Sequence, residues 1–246
     1  MNLDTLQLIL LLVGIALVAF LYSSVGHAGA SGYIAVMSLC GLSATFIRPT
    51  ALVLNILVAA IGTFQFWRAG HFSWPLFWPF ALLSVPCAYL GGYLHLPAHV
   101  LKMLIGAVLL FSAARLFFRH NDPPEVDMPA RPVAIGAGAL IGFLSGLTGT
   151  GGGIFLTPLL LFCRWATIKR AAAVSVLFIL VNSSAGLAGF LTSGQSVPSS
   201  AWLLAAGAVV AGTAGSYLGS QRFPARTISL LLAAVLLIAG GKLLFT

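Results

Sequence analysis

The sequence predicts an all-α, polytopic membrane protein of two inverted repeats, each with a glycine-broken re-entrant or short helix plus three or more spanning helices. Three observations lead there. Only 7% of residues are charged, 60% are apolar and mean hydropathy is +1.07, whereas soluble domains carry roughly 25% charged residues. Apolar stretches of the length needed to cross a hydrocarbon core recur along the chain. A glycine-rich run, Thr148-Gly149-Thr150-Gly151-Gly152-Gly153-Ile154, has a weaker copy at Gly26-His27-Ala28-Gly29-Ala30-Ser31, offset by 123 residues, half of the 246.

The elements follow in order. Residues 6–22 form an apolar helix. Ala28-Gly29-Ala30 behind it resembles a leader-cleavage site, but the segment holds Asp4 and no lysine or arginine, whereas leaders begin with a positive region. It is therefore kept as a membrane helix. The first break and a short apolar stretch at 33–40 come next, then spans at 51–67, 74–94 and 100–118. The polar, proline-rich segment from Asn121 to Pro129 separates a first repeat (1–120) from a second (131–246), with 121–130 as a cytoplasmic linker. The second half repeats the order: a span at 133–147, the break, a short stretch at 154–163, then spans at 171–191, 201–219 and 227–245.

The duplication extends beyond the glycines. Cys40 pairs with Cys163, Ala44-Thr45 with Ala166-Thr167, Gly62 with Gly186, Tyr89-Leu90-Gly91 with Tyr217-Leu218-Gly219, Pro97-Ala98 with Pro224-Ala225, and Arg115 with Lys242. If the first helix and the short one form a re-entrant hairpin, each half crosses three times; if both cross, five times. Either odd count makes the second half enter from the opposite side, as in inverted-repeat transporters; a four-crossing half would make the repeats parallel. Under either odd count Arg68, Arg115, Arg119, Arg131, Arg164, Lys169, Arg170, Arg222 and Arg226 share one side, against Arg48, Lys102 and Lys242. That bias places the linker in the cytoplasm and both termini outside, in an inner (plasma) membrane. The net charge of +8 is this orientation signal and calls for no nucleic-acid partner.

Scattered glycines such as Gly136, Gly138 and Gly142 serve helix packing. Consecutive ones add backbone freedom and bare amides, which survive in a membrane only inside protein or beside water. The short helices starting near Ser31 and Ile154 would point N-terminal amides at a midplane cavity, the usual chemistry of an anion site. All four carboxylates, Asp4, Asp122, Glu125 and Asp127, lie outside the spans, so neither a hard-cation site nor a carboxylate proton relay is provided. Near the breaks stand hydroxyls and amides instead: Tyr22, Ser23, Ser24, Ser31, Ser145, Thr148, Thr150 and Thr157, with Asn55 and Asn182 deep in the following spans. These donate to a small oxyanion. The candidate substrate-binding residues are Gly26, His27, Gly29, Ser31, Asn55, Thr148, Gly149, Thr150, Gly151, Gly152, Gly153 and Asn182. No cofactor or metal is expected, and the partners are a small anion and the lipid bilayer.

The segment from Gly142 through Gly153 (GFLSGLTGTGGG), then Pro158 and a basic loop leading to Ala171-Ala172-Ala173-Val174-Ser175, resembles the sulfite exporter TauE/SafE family over essentially the whole chain. The first-half copy departs from that family's glycine run, reading Gly-His-Ala-Gly-Ala-Ser-Gly. The resemblance implies export of sulfite, sulfonates or related organosulfur anions.

Single residues carry two readings each. His27, the one histidine in a break, could bind an anion when protonated or carry a coupled proton, or simply satisfy backbone. Arg48 reads as an interfacial anchor reaching headgroups, or as a guard at the cavity mouth. Cys40 and Cys163 could contact sulfur, or be small apolar filler. Their spacing with Cys87 fits no disulfide or zinc pattern. Trp67, Trp74, Trp78, Trp165 and Trp202 fall near span ends, as interface belts do. The competing classes are an intramembrane enzyme or a structural subunit of a larger complex. Ser145 within Gly142–Gly146 could suggest a serine hydrolase, but no histidine follows His120 to serve locally as base. The glycine run also lacks the Lys-Ser/Thr of a phosphate-binding loop.

Overall fold

The computed structural model describes residues 5–94 and 126–228, together with 110, 230, 231, 233, 234, 237 and 241. The expected spans at 100–118 and 227–245 fall mostly outside them. Among the described residues the α-helices run in the order α1 (Thr5–Ser24), α2 (Ala30–Leu39), α3 (Ala44–Arg68), α4 (Trp74–Tyr93), α5 (Arg131–Thr148), α6 (Gly153–Phe162), α7 (Ile168–Thr192) and α8 (Ala201–Tyr217), the last running into a π-turn over Leu218–Arg222. Six are long and apolar enough to cross a membrane, counting α8 with its π-turn; α2 and α6 are not.

Local chemistry sets the ends. Pro75 and Pro132 sit in the first turns of α4 and α5, where no intrahelical N–H is needed. Gly149 at φ 74° ends α5 and Gly152 at φ 83° begins α6, while Gly29 at φ 102° begins α2; this left-handed backbone favours glycine. The bounds repeat: α2 and α6 start and end 123 residues apart, α3 and α7 124 residues apart. By helix position Ser43 thus corresponds to Thr167, two residues from the match of Ala44-Thr45 to Ala166-Thr167.

Contacts fix the directions. Leu52 approaches Gly186, Asn55 bonds Ser183 and Gly62 meets Val176, so α3 runs antiparallel to α7. On the 124-residue offset Leu52 corresponds to Val176 and Gly62 to Gly186, so this packing maps onto itself. Gly138, Gly142 and Gly146 of α5 meet the carbonyls of Phe80, Ser84 and Ala88 on α4, and Gly215 and Gly219 meet those of Phe20 and Ser24 on α1. The fourth described helix of each half therefore lies parallel to the first of the other.

Helix α4 also runs parallel to α7, through Ser84 with Asn182 and Tyr89 with Thr192. Since α5 and α7 point the same way, α6 between them must return. The open ends of this re-entrant hairpin are tied by the Asp127 amide donating to the Arg164 carbonyl at 3.1 Å. In the first half, Gly212 against Val58 and Gly62 against Ser216 make α3 and α8 parallel, so α1 and α3 agree in direction and α2 returns. Helix α7 fills the centre, with Ala172, Val176, Phe178, Ile179 and Asn182 buried, whereas Leu6, Ile9, Leu10, Val13 and Leu17 of α1 face outward. Trp67, Trp74 and Trp202 are exposed at helix ends, consistent with an interfacial belt.

Candidate substrate-binding site

The second break is set against the α3–α7 pair. Gly151 and Gly152 take φ 76° and 83°, and the first backbone bonds of α6 run from Phe155 and Leu156 to the Gly152 carbonyl. The amides of Gly153 and Ile154 lie in the turn that has no intrahelical acceptor. A Cβ at Gly151 would stand 2.8 Å from both Asn55 Nδ2 and Ser183 Oγ; one at Gly152 would stand 3.3 Å from the Ser145 Cβ. Missing side chains here leave backbone facing polar groups.

Those groups are unusually under-bonded. Asn55 Nδ2 donates to Ser183 Oγ at 3.3 Å, but Asn55 Oδ1 has no partner, nor does Ser145 Oγ. From the first break His27 reaches across: its Cδ2 would be 3.3 Å from a Cβ at Gly153, and its Nε2 bonds Thr157 Oγ1 at 2.8 Å. Thr157 in turn donates to Ser175 Oγ at 2.7 Å, and His27 Nδ1 is left without a partner. Asn55 is 0% exposed, His27 and Ser145 1% each. Buried polar atoms are normally bonded, and leaving one unmet costs about 1–3 kcal/mol; a cluster of them beside free amides is a place a polar guest would complete.

The other expected residues divide. Gly26 packs on the backbone of Ala172 and Gly29 on the ring of Tyr33; Ser31 Oγ bonds Tyr22 OH at 3.0 Å. Tyrosines thus fill the space beside the first break, and its polar contact with the second is His27. Thr148 bonds the Leu144 carbonyl and Thr150, and Gly149 faces the Arg48 side chain. Asn182 lies away from the cluster: its Oδ1 accepts from Ser84 at 2.7 Å and its Nδ2 donates to the Phe178 carbonyl at 3.0 Å. Cys40 and Cys163 cap the far ends of α2 and α6, about 15 Å from the breaks at 1.5 Å per residue, so the structure does not bring them to the cluster.

Arg48 corrects the reading as an anchor. It is half-buried, and Nη2 donates to the carbonyls of Gly91 (3.0 Å), Gly92 (3.0 Å) and Gly146 (2.7 Å), with the guanidinium 5.5 Å from the Phe190 ring centre. It ties α3 to the ends of α4 and α5 instead of reaching outward. Ser175 and Ser183 are members of the polar cluster that sequence reasoning missed. Both lie in α7, and the signal was their spacing of eight residues, close to two helical turns. Ser145 does not bond His27, whose Nε2 is on Thr157. Among the described residues no group of three or more His, Cys, Asp or Glu could hold a metal ion.

Comparison with known proteins bears on this geometry. The family model for the sulfite exporter TauE/SafE matches residues 10–243. The chain is 41% identical over 243 residues to "Probable membrane transporter protein y4hK" of Sinorhizobium fredii, covering 96% of this chain and 97% of that one. It is 29% identical over 241 residues to "Probable membrane transporter protein YjnA" of Bacillus subtilis, covering 89% and 92%. No solved structure matches it. A multi-pass helical chain with paired glycine breaks, matched by the family model almost end to end, belongs to the sulfite exporter TauE/SafE family of membrane transporters.

Proposed function

We propose that this transporter carries a small sulfur-containing anion, sulfite or an organosulfonate, outward across the inner membrane by alternating access at a midplane site. The observation that carries the reading is the turn Gly151–Gly153 at the start of α6, whose amides lack intrahelical acceptors and which faces the buried Asn55 amide and the unpartnered Ser145 hydroxyl. Amides of Gly153 and Ile154, the Asn55 amide and the Ser145 hydroxyl supply donors, and the helix N-terminus adds partial positive charge. No buried lysine is needed, so the anion is held without a Coulomb trap. Gly26, Gly29, Ser31, Thr148, Gly149 and Thr150 shape the two breaks around it.

The halves 1–120 and 131–246 act as inverted repeats that rock about this site. The antiparallel α3–α7 contact, which the 124-residue offset maps onto itself, supports that relation. The linker lies in the cytoplasm and both termini outside. Any net negative charge carried outward is driven by the inside-negative potential at ~2.3 kcal/mol per charge per 100 mV, and a charge-compensated anion leaves down its own outward concentration gradient. Proteoliposomes containing this chain alone test the function: labelled sulfite or methanesulfonate should cross unchanged. Chemical conversion without flux would favour an intramembrane enzyme, and no flux without an added subunit would favour a structural role.

A further inference from the structure

The bonding around His27 specifies more than an anion. Thr157 spends its single proton on Ser175 Oγ, so at its 2.8 Å contact with His27 it can only accept. The imidazole therefore carries its proton on Nε2, and Nδ1 presents a lone pair that is buried and unmet. Asn55 Oδ1 is a second unmet acceptor in the same cluster. A bare anion would satisfy neither, whereas a proton would satisfy the imidazole nitrogen.

Resting on the reading of the cluster as an anion site, we propose that each anion is carried together with one proton, held at His27 Nδ1. The proton comes from the side on which the anion enters and leaves with it on the other, so imidazole and cargo return to their starting forms. The charge environment requires such pairing. From α1, Tyr22 lies near the imidazole, ring centres 6.4 Å apart, and from α2 Tyr33 packs on Gly29; both are neutral phenols. From α3, Arg48 stands at the Gly149 end with Nη2 on three carbonyls. Helix α6 offers Thr157 and no charged residue; on α7, Lys169 and Arg170 lie at the helix start, more than a turn before Ser175. The described carboxylate, Asp127, is in the linker. A lone imidazolium or a lone anion in this interior bears the full desolvation cost, whereas together they form a neutral pair.

Two proton sources share this chemistry: the cargo's own O–H, as in hydrogen sulfite, and an imidazolium formed on loading. Methanesulfonate separates them, because it carries no ionisable proton across the range in which histidine titrates, roughly pH 5 to 8. In proteoliposomes loaded with a pH dye and clamped with potassium and valinomycin, inward methanesulfonate flux through the wild type should acidify the lumen by one proton per anion. Its rate should fall about tenfold per pH unit on the alkaline limb. H27Q keeps an amide donor for Thr157 but takes up no proton; it should lose most methanesulfonate flux and all acidification, and any flux that remains should have a flat pH profile. Sulfite flux with acidification, but no methanesulfonate flux, would place the proton on the cargo. Wild-type methanesulfonate flux without lumen acidification, or acidification by H27Q at the wild-type rate, overturns the proposal; should H27Q fail to insert, the wild-type dye signal decides alone. Absence of any anion flux removes the binding-site reading itself, and this inference with it.

Discussion

At Gly151 a side chain has nowhere to go: a Cβ would meet Ile179 Cγ2 at 2.7 Å and Asn55 Nδ2 and Ser183 Oγ at 2.8 Å, on backbone at φ 76°. G151A should abolish flux and cost about 1–3 kcal/mol through the strained backbone alone, read as thermal unfolding in detergent beside transport. The two buried asparagines should behave oppositely. N182A strands the Ser84 hydroxyl between α4 and α7 and should destabilise by about 1–3 kcal/mol, with transport per folded molecule unchanged. N55A removes an unmet oxygen along with the longer 3.3 Å bond to Ser183; it should raise the substrate concentration for half-maximal flux and destabilise less than N182A. In the sequence these two residues look alike, each deep in a span behind a glycine break. A rotation of about 100° per residue decides which faces the break, and nothing local records it.

Among the elements, closeness is set by glycine. A Cβ at Gly142 would collide with the Ser84 carbonyl of α4, whereas one at Gly136 would meet nothing within 4 Å. G142L should therefore separate α4 from α5 and cost at least about 2 kcal/mol, and G136L should be tolerated; unfolding of the two variants in parallel checks this. The packing role expected for scattered glycines thus holds for Gly138 and Gly142, while Gly136 shows no such contact. Element order and the two short helices were readable because each break announces itself with glycines at repeating positions. The return of α2 and α6 to their starting side was not, since hydropathy carries no direction. It emerges from which residues of α5 and α7 meet α4.

For the whole molecule the orientation is open to direct labelling. In a cysteine-free background, D127C should react with a membrane-impermeant maleimide from the cytoplasmic side and Q195C from the outside. The reverse pattern would invert the arrangement argued from basic residues. The Asp127–Arg164 and His71–Ser220 bonds, at 3.1 and 3.2 Å, already hold the linker near the loop after α6, and the loop after α3 near the π-turn. That agrees with the shared side expected from charge.

By itself the sequence determined the solvent of this protein, the places where helices break and the family to which it belongs. These are properties of composition and local pattern, which persist whatever the chain packs against. Only the tertiary structure decided that His27 crosses to Thr157, that Asn55 rather than Asn182 faces the glycines, that Arg48 binds three carbonyls inward and that the matched cysteines stay at the far helix ends. Each of the first three joins residues 43 to 130 positions apart, and such meetings are fixed by helix rotation and close glycine contacts that no local signal encodes.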